Sequence, residues 1–278
     1  MFWVFVAIVL IVLFIPALIF CIAPGKMSPE AKETVKAFLG LNCAHRGLYS
    51  KNQQIPENSI PAFIAAKNGN YGVELDIQLS KDGRVVVFHD NDLMRVCSLN
   101  KNVNSMDFKE LSKLPLFDTG EHIPLLTDVL EVLENTPVIV ELKAAGTDNI
   151  KLCEETLEIM REKGQNWCIE SFDPRIVAWF RKNAPDVLRG QLSCLPHEYG
   201  KVSKTTAFIL GNLLMNFISR PHFIAYSTSP HPLPVRLCRT MNPLNVVWTV
   251  KPEDDIKFFE NKNDILIFEH YEPDPKFK

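Results

Sequence analysis

An excess of basic residues is missing from this chain: 30 lysines and arginines face 33 acidic side chains, a formal net charge of -3. That argues against a general nucleic-acid binder, which needs a basic surplus or patch to meet phosphates. Cysteine pairs are missing too. The seven cysteines, at 21, 43, 97, 153, 168, 194 and 238, are odd in number and contain no Cys-x-x-Cys spacing, so neither a disulfide framework nor a zinc knuckle is expected. They read as small buried thiols in a reducing compartment. No compact His/Cys set suggests a zinc hydrolase, and nothing points to an obligate protein partner.

Charge is also absent from residues 2–23, a run broken only by Pro16. As a helix it would span about 33 Å at ~1.5 Å per residue, close to the hydrocarbon thickness of a bilayer. No Lys or Arg precedes it, and it is long for the apolar stretch of a cleaved signal. The sequence therefore predicts a single-pass transmembrane anchor over residues 1–24. Lys26, Lys32 and Lys36 follow the run, so the positive-inside bias predicts a cytoplasmic main domain. Residues 25–40 form a juxtamembrane segment, with Ser28 as a cap and Pro29 at the first helical position. Its apolar residues, Val35, Phe38 and Leu39, would lie on either the membrane or the main domain.

From residue 41 to 278, short apolar runs alternate with longer amphipathic stretches, the mark of β/α repeats. Strands are expected at 41–45, 73–79, 84–89, 137–142, 167–171, 188–192, 222–227, 246–250 and 264–268. Helices are expected at 59–68, 124–134, 148–163, 174–183, 203–218 and 252–261. Such a length suits a single α/β barrel of about 250 residues, yet the strands number one too many for eight staves. The tight Ser80-Lys81-Asp82-Gly83 turn is too short for a parallel crossover, so irregularity is expected there. Residues 91–122 lack periodicity and suggest a small cap beside a site. The broad apolar stretch Thr206–Ile218 allows either a lipid-facing or lid element or an ordinary buried helix.

The chemistry concentrates at strand ends. Glu74 and Asp76 are two apart on one strand and share a face. Two carboxylates side by side in an apolar strand need a compensating cation, and oxygen-only ligation favours Mg²⁺ or Ca²⁺. Glu141 offers a third carboxylate, while Lys143, on the same face, can neutralise an anionic substrate. His45 and His89 end two further strands, and a pair of histidines can withdraw one proton and donate another. Arg46 presents a fork of donors suited to phosphate oxygens. The other histidines, His122, His197, His222, His231 and His270, read as structural or exposed, although His197 could line a pocket.

In order along the chain stand His45-Arg46-Gly47, Pro56-Glu57-Asn58-Ser59 with Ala62-Phe63, Glu74-Leu75-Asp76, Lys81-Asp82-Gly83, Val87-Phe88-His89-Asp90, Glu141-Leu142-Lys143, Ser171-Phe172-Asp173 and Trp248-Thr249-Val250. This series resembles the glycerophosphodiester phosphodiesterase family over about residues 41–270. The resemblance implies a TIM-type β/α barrel, here behind a transmembrane helix, and hydrolysis of a glycerophosphodiester through a cyclic phosphate. It implies Glu74, Asp76 and Glu141 as metal ligands, His45 and His89 as the acid/base pair, and Arg46 and Lys143 as phosphate contacts. Glu57 would stand close to the metal shell, Asn58 would fix the loop or histidine, and Trp248 would wall the pocket. With an anchor in place, a membrane lysophospholipid cleaved as by a lysophospholipase D is the alternative substrate, and an inactive membrane-associated binding barrel is the alternative of another class. One departure stands out. Where the family commonly ends its last strand in Thr-Asp followed by Pro, this chain has Phe268-Glu269-His270.

Overall fold

The computed structural model describes residues 13–144, 146, 148–200 and 202–278. Its strands are β1 (Asn42–His45), β2 (Gly72–Leu79), β3 (Val85–Val87), β4 (Asp92–Leu93), β5 (Leu99–Asn102), β6 (Val138–Leu142), β7 (Trp167–Ser171), β8 (Arg189–Ser193), β9 (Phe223–Ser227), β10 (Leu244–Val250) and β11 (Ile265–Phe268). A nine-stranded sheet runs β1-β11-β10-β9-β8-β7-β6-β2-β3, and β1 also pairs with β2, which closes the ring. Only β3 is antiparallel, joined to β2 through Ile77↔Val87 and Leu79↔Val85. The surplus strand at 84–89 is therefore a hairpin arm outside the ring. That leaves eight parallel staves, the number a closed β/α barrel needs.

Helices cover the outside because alternate residues on each stave are apolar. Val73, Leu75 and Ile77 of β2 and Val138, Val140 and Leu142 of β6 join Phe63, Leu126, Val129, Leu152 and Phe180 in one buried cluster. The helix Ile60–Asn68 starts where Ser59 accepts a hydrogen bond from the Ala62 amide, as an N-cap should. Helix Leu233–Arg239 has no counterpart in the sequence-based expectation; its Pro-rich start hid its short periodicity.

The inner face alternates in the same way, and its lower layer is apolar. Cys43, Ile139, Cys168, Leu188, Phe223 and Ile265 pack there with Ala31, Val35 and Phe38 of helix Pro29–Phe38. That helix is capped by the Ser28 side chain on the Ala31 amide at 3.1 Å. It plugs the N-terminal mouth of the barrel, so its apolar stripe belongs to the protein core. Gly190 has no side chain because a Cβ there would meet the Phe223 ring at 1.9 Å.

The membrane-spanning anchor is corrected by the structure. Residues 1–12 lie outside the described residues, and among those described no helix is long and apolar enough to cross a membrane. Residues 13–22 are helical, and Ile22 is fully buried in a cluster with Leu213, Ile224 and Tyr226. Asn216 Nδ2 donates to the Ile22 carbonyl at 2.9 Å, and Arg220 donates to the Ala23 carbonyl at 3.0 Å. The carbonyls that a helix leaves open at its C-terminus are thus satisfied by barrel side chains. The predicted single-pass topology, and the cytoplasmic placing of the domain that depended on it, lose their basis.

Two irregular regions flank the C-terminal mouth. Residues 91–122 form β4, β5 and short helices around their own cluster of Leu93, Val96, Val103, Leu111 and Leu116, packed on Val86 and Phe88. The Thr206–Ile218 stretch breaks into helices Lys204–Gly211 and Asn216–Ser219. Leu213 between them is buried while Phe208 is exposed, so it is not one buried helix. After β11 the tail crosses back beneath the barrel: Tyr71 donates to the Pro273 carbonyl at 2.7 Å, and Leu41 bridges Lys276.

Candidate active site

Strand alternation sends Glu74 and Asp76 of β2 and Glu141 of β6 inward at the C-terminal end. Register then brings them together, because Asp76 stands opposite Glu141. One ligand atom from each of these three buried residues lies within 4.8 Å of the other two. Desolvation, reinforced by Asp76 and Glu141, pushes the Glu74 carboxyl well above the usual range. Desolvation likewise raises Glu141, against the pull of Lys143. At Asp76 desolvation is outweighed by Lys143, His89, Arg46 and His45, which hold it well below the usual range.

These residues fit a divalent cation on the chemistry of their donors. Each carboxylate has one oxygen steadied by the protein: Glu74 Oε2 accepts the Arg46 amide at 3.0 Å, Asp76 Oδ2 accepts Asn58 Nδ2 at 2.9 Å, and Glu141 Oε1 lies 2.8 Å from Lys143 Nζ. Asp76 Oδ1 is buried without a hydrogen bond, its nearest charge being Lys143 Nζ at 3.3 Å. An all-oxygen set of this kind could hold one hard cation.

His45, at the end of β1, and His89, two residues beyond β3, are each held through Nδ1 by a carboxylate. His45 Nδ1 lies 2.8 Å from Glu269 Oε2, which also accepts the Tyr49 hydroxyl at 2.8 Å; the other Glu269 oxygen is 3.3 Å from Lys251 Nζ. Burial lowers the His45 pKa, helped by Arg46 and opposed by Glu269. His89 Nδ1 lies 2.6 Å from Asp90 Oδ1. Asp90 is clamped by Arg95 at 2.7 and 3.0 Å. Arg95 continues to Glu57 at 2.9 and 2.6 Å, and Glu57 to Arg46 at 2.7 Å. One chain of charge-assisted bonds therefore ties His89 to Arg46, and its middle link comes from the 91–122 region.

The first loop is shaped by backbone demands. Gly47 has φ +78°, and a Cβ there would meet Ala62 at 2.9 Å. Arg46 and Asn58 both adopt positive φ, and the Asn58 amide donates to the Arg46 carbonyl at 2.9 Å. This fold of the loop puts Arg46 over Glu74 and Asp76.

His45, Arg46, Glu57, Glu74, His89, Glu141 and Trp248 line a single cavity of about 590 Å³. Asp76, Asn58 and Lys143 touch its carboxylates without lining it. The catalytic, phosphate, metal and supporting residues named from sequence thus converge on one region; His197 does not line this cavity, whereas His270, expected to be structural or exposed, does. Four partners were missed: Glu269, Glu170, Arg95 and Tyr49. Glu269 follows Ile265 and Ile267 at intervals of two on β11, and Glu170 follows Cys168 on β7, so period-two counting would have found both. Glu170 is almost fully buried, with Oε2 unpartnered, and desolvation raises its pKa well above the usual range. Arg95 lies on the four-residue helix Met94–Cys97 within the irregular region and Tyr49 on the first loop, so neither carries such a signal.

Residues 45–269 match the glycerophosphoryl diester phosphodiesterase family model. A lysophospholipase D of Homo sapiens is 33% identical over 134 residues, covering 44% of this chain and 42% of that protein. A glycerophosphodiester phosphodiesterase of Caldanaerobacter subterraneus subsp. tengcongensis is 34% identical over 160 residues, 54% of this chain and 65% of that protein. The matched stretches thus span less than two thirds of these curated relatives. The fold is also that of a phosphodiesterase from Oleispira antarctica solved with its product sn-glycerol-3-phosphate, at TM-score 0.68 and 21% identity, covering 86% of this chain and 96% of that one. A glycerophosphodiester phosphodiesterase from Thermotoga maritima gives TM-score 0.61 and 24% identity, covering 82% and 93%.

Proposed function

The chain belongs to the glycerophosphoryl diester phosphodiesterase family, and from that premise we propose that it hydrolyses glycerophosphodiesters to glycerol phosphate and an alcohol. The observation that carries this reading is the pair of carboxylate-held histidines, His45 with Glu269 and His89 with Asp90, on one cavity that also exposes Arg46, Glu74 and Glu141. With Nδ1 engaged, each ring keeps Nε2 for proton transfer, and its carboxylate fixes the tautomer.

In the proposed reaction the substrate's own neighbouring hydroxyl attacks phosphorus, giving its proton to one histidine. The other histidine protonates the departing alkoxide. Water then opens the cyclic phosphate, and the two histidines exchange roles, so both return to their starting states. Holding the hydroxyl near phosphorus makes this internal nucleophile effective. Arg46 and Lys143 would offset charge developing on the phosphoryl oxygens. Glu74, Asp76 and Glu141 would hold a divalent cation, Mg²⁺ or Ca²⁺, which supplies Lewis-acid stabilisation of that charge. Asn58 orients Asp76, and Glu57 joins Arg46 to Arg95 and so keeps the guanidinium in place.

The test is alcohol release from glycerophosphocholine with Mg²⁺ or Ca²⁺. Turnover is expected to stop with chelator and to fall about 10²–10⁴-fold in His45→Ala that remains folded. Full turnover in that variant rejects the mechanism, and no turnover under any metal favours a binding barrel. One observation favours a lysophospholipid as the second reading. Val202, Ile209, Leu210 and Met215 line an apolar cavity of about 480 Å³ that shares Phe172 with the catalytic cavity, and an acyl chain would fit there. Lysophosphatidylcholine assayed beside glycerophosphocholine separates the two.

A further inference from the structure

A second cavity, of about 570 Å³, adjoins the catalytic one and shares Phe172, Trp248 and Thr249 with it. Nothing in the hydrolytic mechanism uses it. Its shared wall is aromatic: the Phe172 ring stands edge-on to Trp248 at 5.5 Å and 86° and to Tyr199 at 5.8 Å and 80°. Its remaining rim is acidic. The Glu198 carboxylate is fixed by Ser227 Oγ at 2.8 Å, by Ser229 Oγ and by the Leu195 amide at 2.7 Å, and these bonds keep it below the usual carboxylate range despite desolvation. Asp254 adds a second carboxylate. The one cation among the described lining residues, Lys251, has its ammonium 3.3 Å from Glu269 on the catalytic side.

Resting on the hydrolase reading above, we propose that this aromatic and acidic cavity is the subsite for a cationic ammonium head group on the leaving alcohol. Ring faces carry negative quadrupole potential and attract an ammonium without demanding hydrogen bonds, which a trimethylammonium cannot offer. A preset anion adds attraction and orders nothing further on binding. The opposite wall of the catalytic cavity presents Tyr49, Lys51, Gln53 and His270, donors and acceptors suited to the glycerol hydroxyls. A phosphodiester lying between them would point its hydroxyls to that wall and its alcohol across Phe172. Inositol or glycerol as the alcohol carries no positive charge for the aromatic wall, Glu198 and Asp254 to attract.

The experiment compares kcat/KM for glycerophosphocholine, glycerophosphoglycerol and glycerophosphoinositol in the full chain and in Glu198→Gln and Trp248→Leu. The wild type should prefer the choline substrate, and the choline-to-glycerol ratio should fall about tenfold in either variant, the scale of one lost cation–π or ion contact. An equal ratio in all three proteins, or preference for inositol, overturns the proposal. Lysophosphatidylcholine in the same series shows whether the choline arrives on a soluble diester or on a lipid; the ratio should fall for both. Choline chloride titrated by saturation-transfer NMR gives a readout free of turnover. Saturable binding in the wild type that weakens in Glu198→Gln supports the subsite even if no diester is hydrolysed, and absence of saturable binding removes it even if hydrolysis stands.

Discussion

At the N-terminal end of the barrel the interior holds Cys43, Ile139, Cys168 and Ile267, closed off by Phe38. Two residues further along the same strands stand His45, Glu141, Glu170 and Glu269, around an open cavity. One step of strand periodicity separates a dry, close-packed layer from a crowded array of charge. The lower layer gains stability by burying apolar surface. The upper layer spends it, since carboxylates held together without a cation repel one another and lose hydration. Active sites at the C-terminal face of such barrels follow this division.

The comparison breaks most visibly at Glu74. Glu74→Gln keeps the shape but removes a cation ligand, so turnover should fall about 10³-fold, in line with several kcal/mol of charge stabilisation. Its melting temperature in chelator should hold or rise, because a desolvated like charge is gone. A falling melting temperature would mean that the carboxylates support the fold. Phe38→Ala is the converse. Loss of a buried ring should cost about 3–5 kcal/mol in urea unfolding, with kcat unchanged under native conditions; a variant as stable as the wild type would show that the plug contributes nothing.

Glu269→Gln sharpens the boundary between the layers. It should lower kcat about 10–100-fold, the usual scale for a group that orients an active histidine. Glu269 raises the His45 pKa against burial, so removing its charge should also move the acidic limb of the pH–rate profile to lower pH. A limb that stays in place would leave Glu269 a packing residue. The smallest effect belongs to the lower end. Burial, with Arg189 nearby, pushes the His222 pKa down to about 3. The unfolded chain therefore binds a proton below about pH 6.5 that the folded chain refuses. Stability is full above that pH and declines as pH falls toward 3, by about 2 kcal/mol at pH 5. His222→Leu should flatten that decline in acid-unfolding curves.

Periodicity and spacing made the eight staves, most helices and the cluster of Glu74, Asp76, Glu141, His45 and His89 legible. Each of these rests on a local rule: side-chain alternation on a strand, helical periodicity, or a cap such as Ser28. The apolar run over residues 2–23 obeyed a hydropathy rule as well, yet among its described residues no helix is long and apolar enough to cross a membrane. Its end meets the barrel, where Ile22 is buried against Leu213 and Tyr226 while Leu13, Phe14 and Phe20 stay exposed. The Phe268-Glu269-His270 ending, a departure from the resembling pattern, supplies the carboxylate that holds His45 and still lets β11 close on β1.

By itself the sequence determined which side chains point inward and which reaction types they can serve, because strand periodicity and side-chain chemistry are properties of short segments. Tertiary structure alone decided who partners whom. Glu269 reaches His45 across the barrel seam, Arg95 reaches Glu57 and Asp90 from an irregular region, and Phe172 meets Trp248 and Tyr199 across the mouth. Apart from the short Asp90–Arg95 link, those contacts join residues far apart in the chain, where register, closure and loop path, rather than any local preference, set the distance.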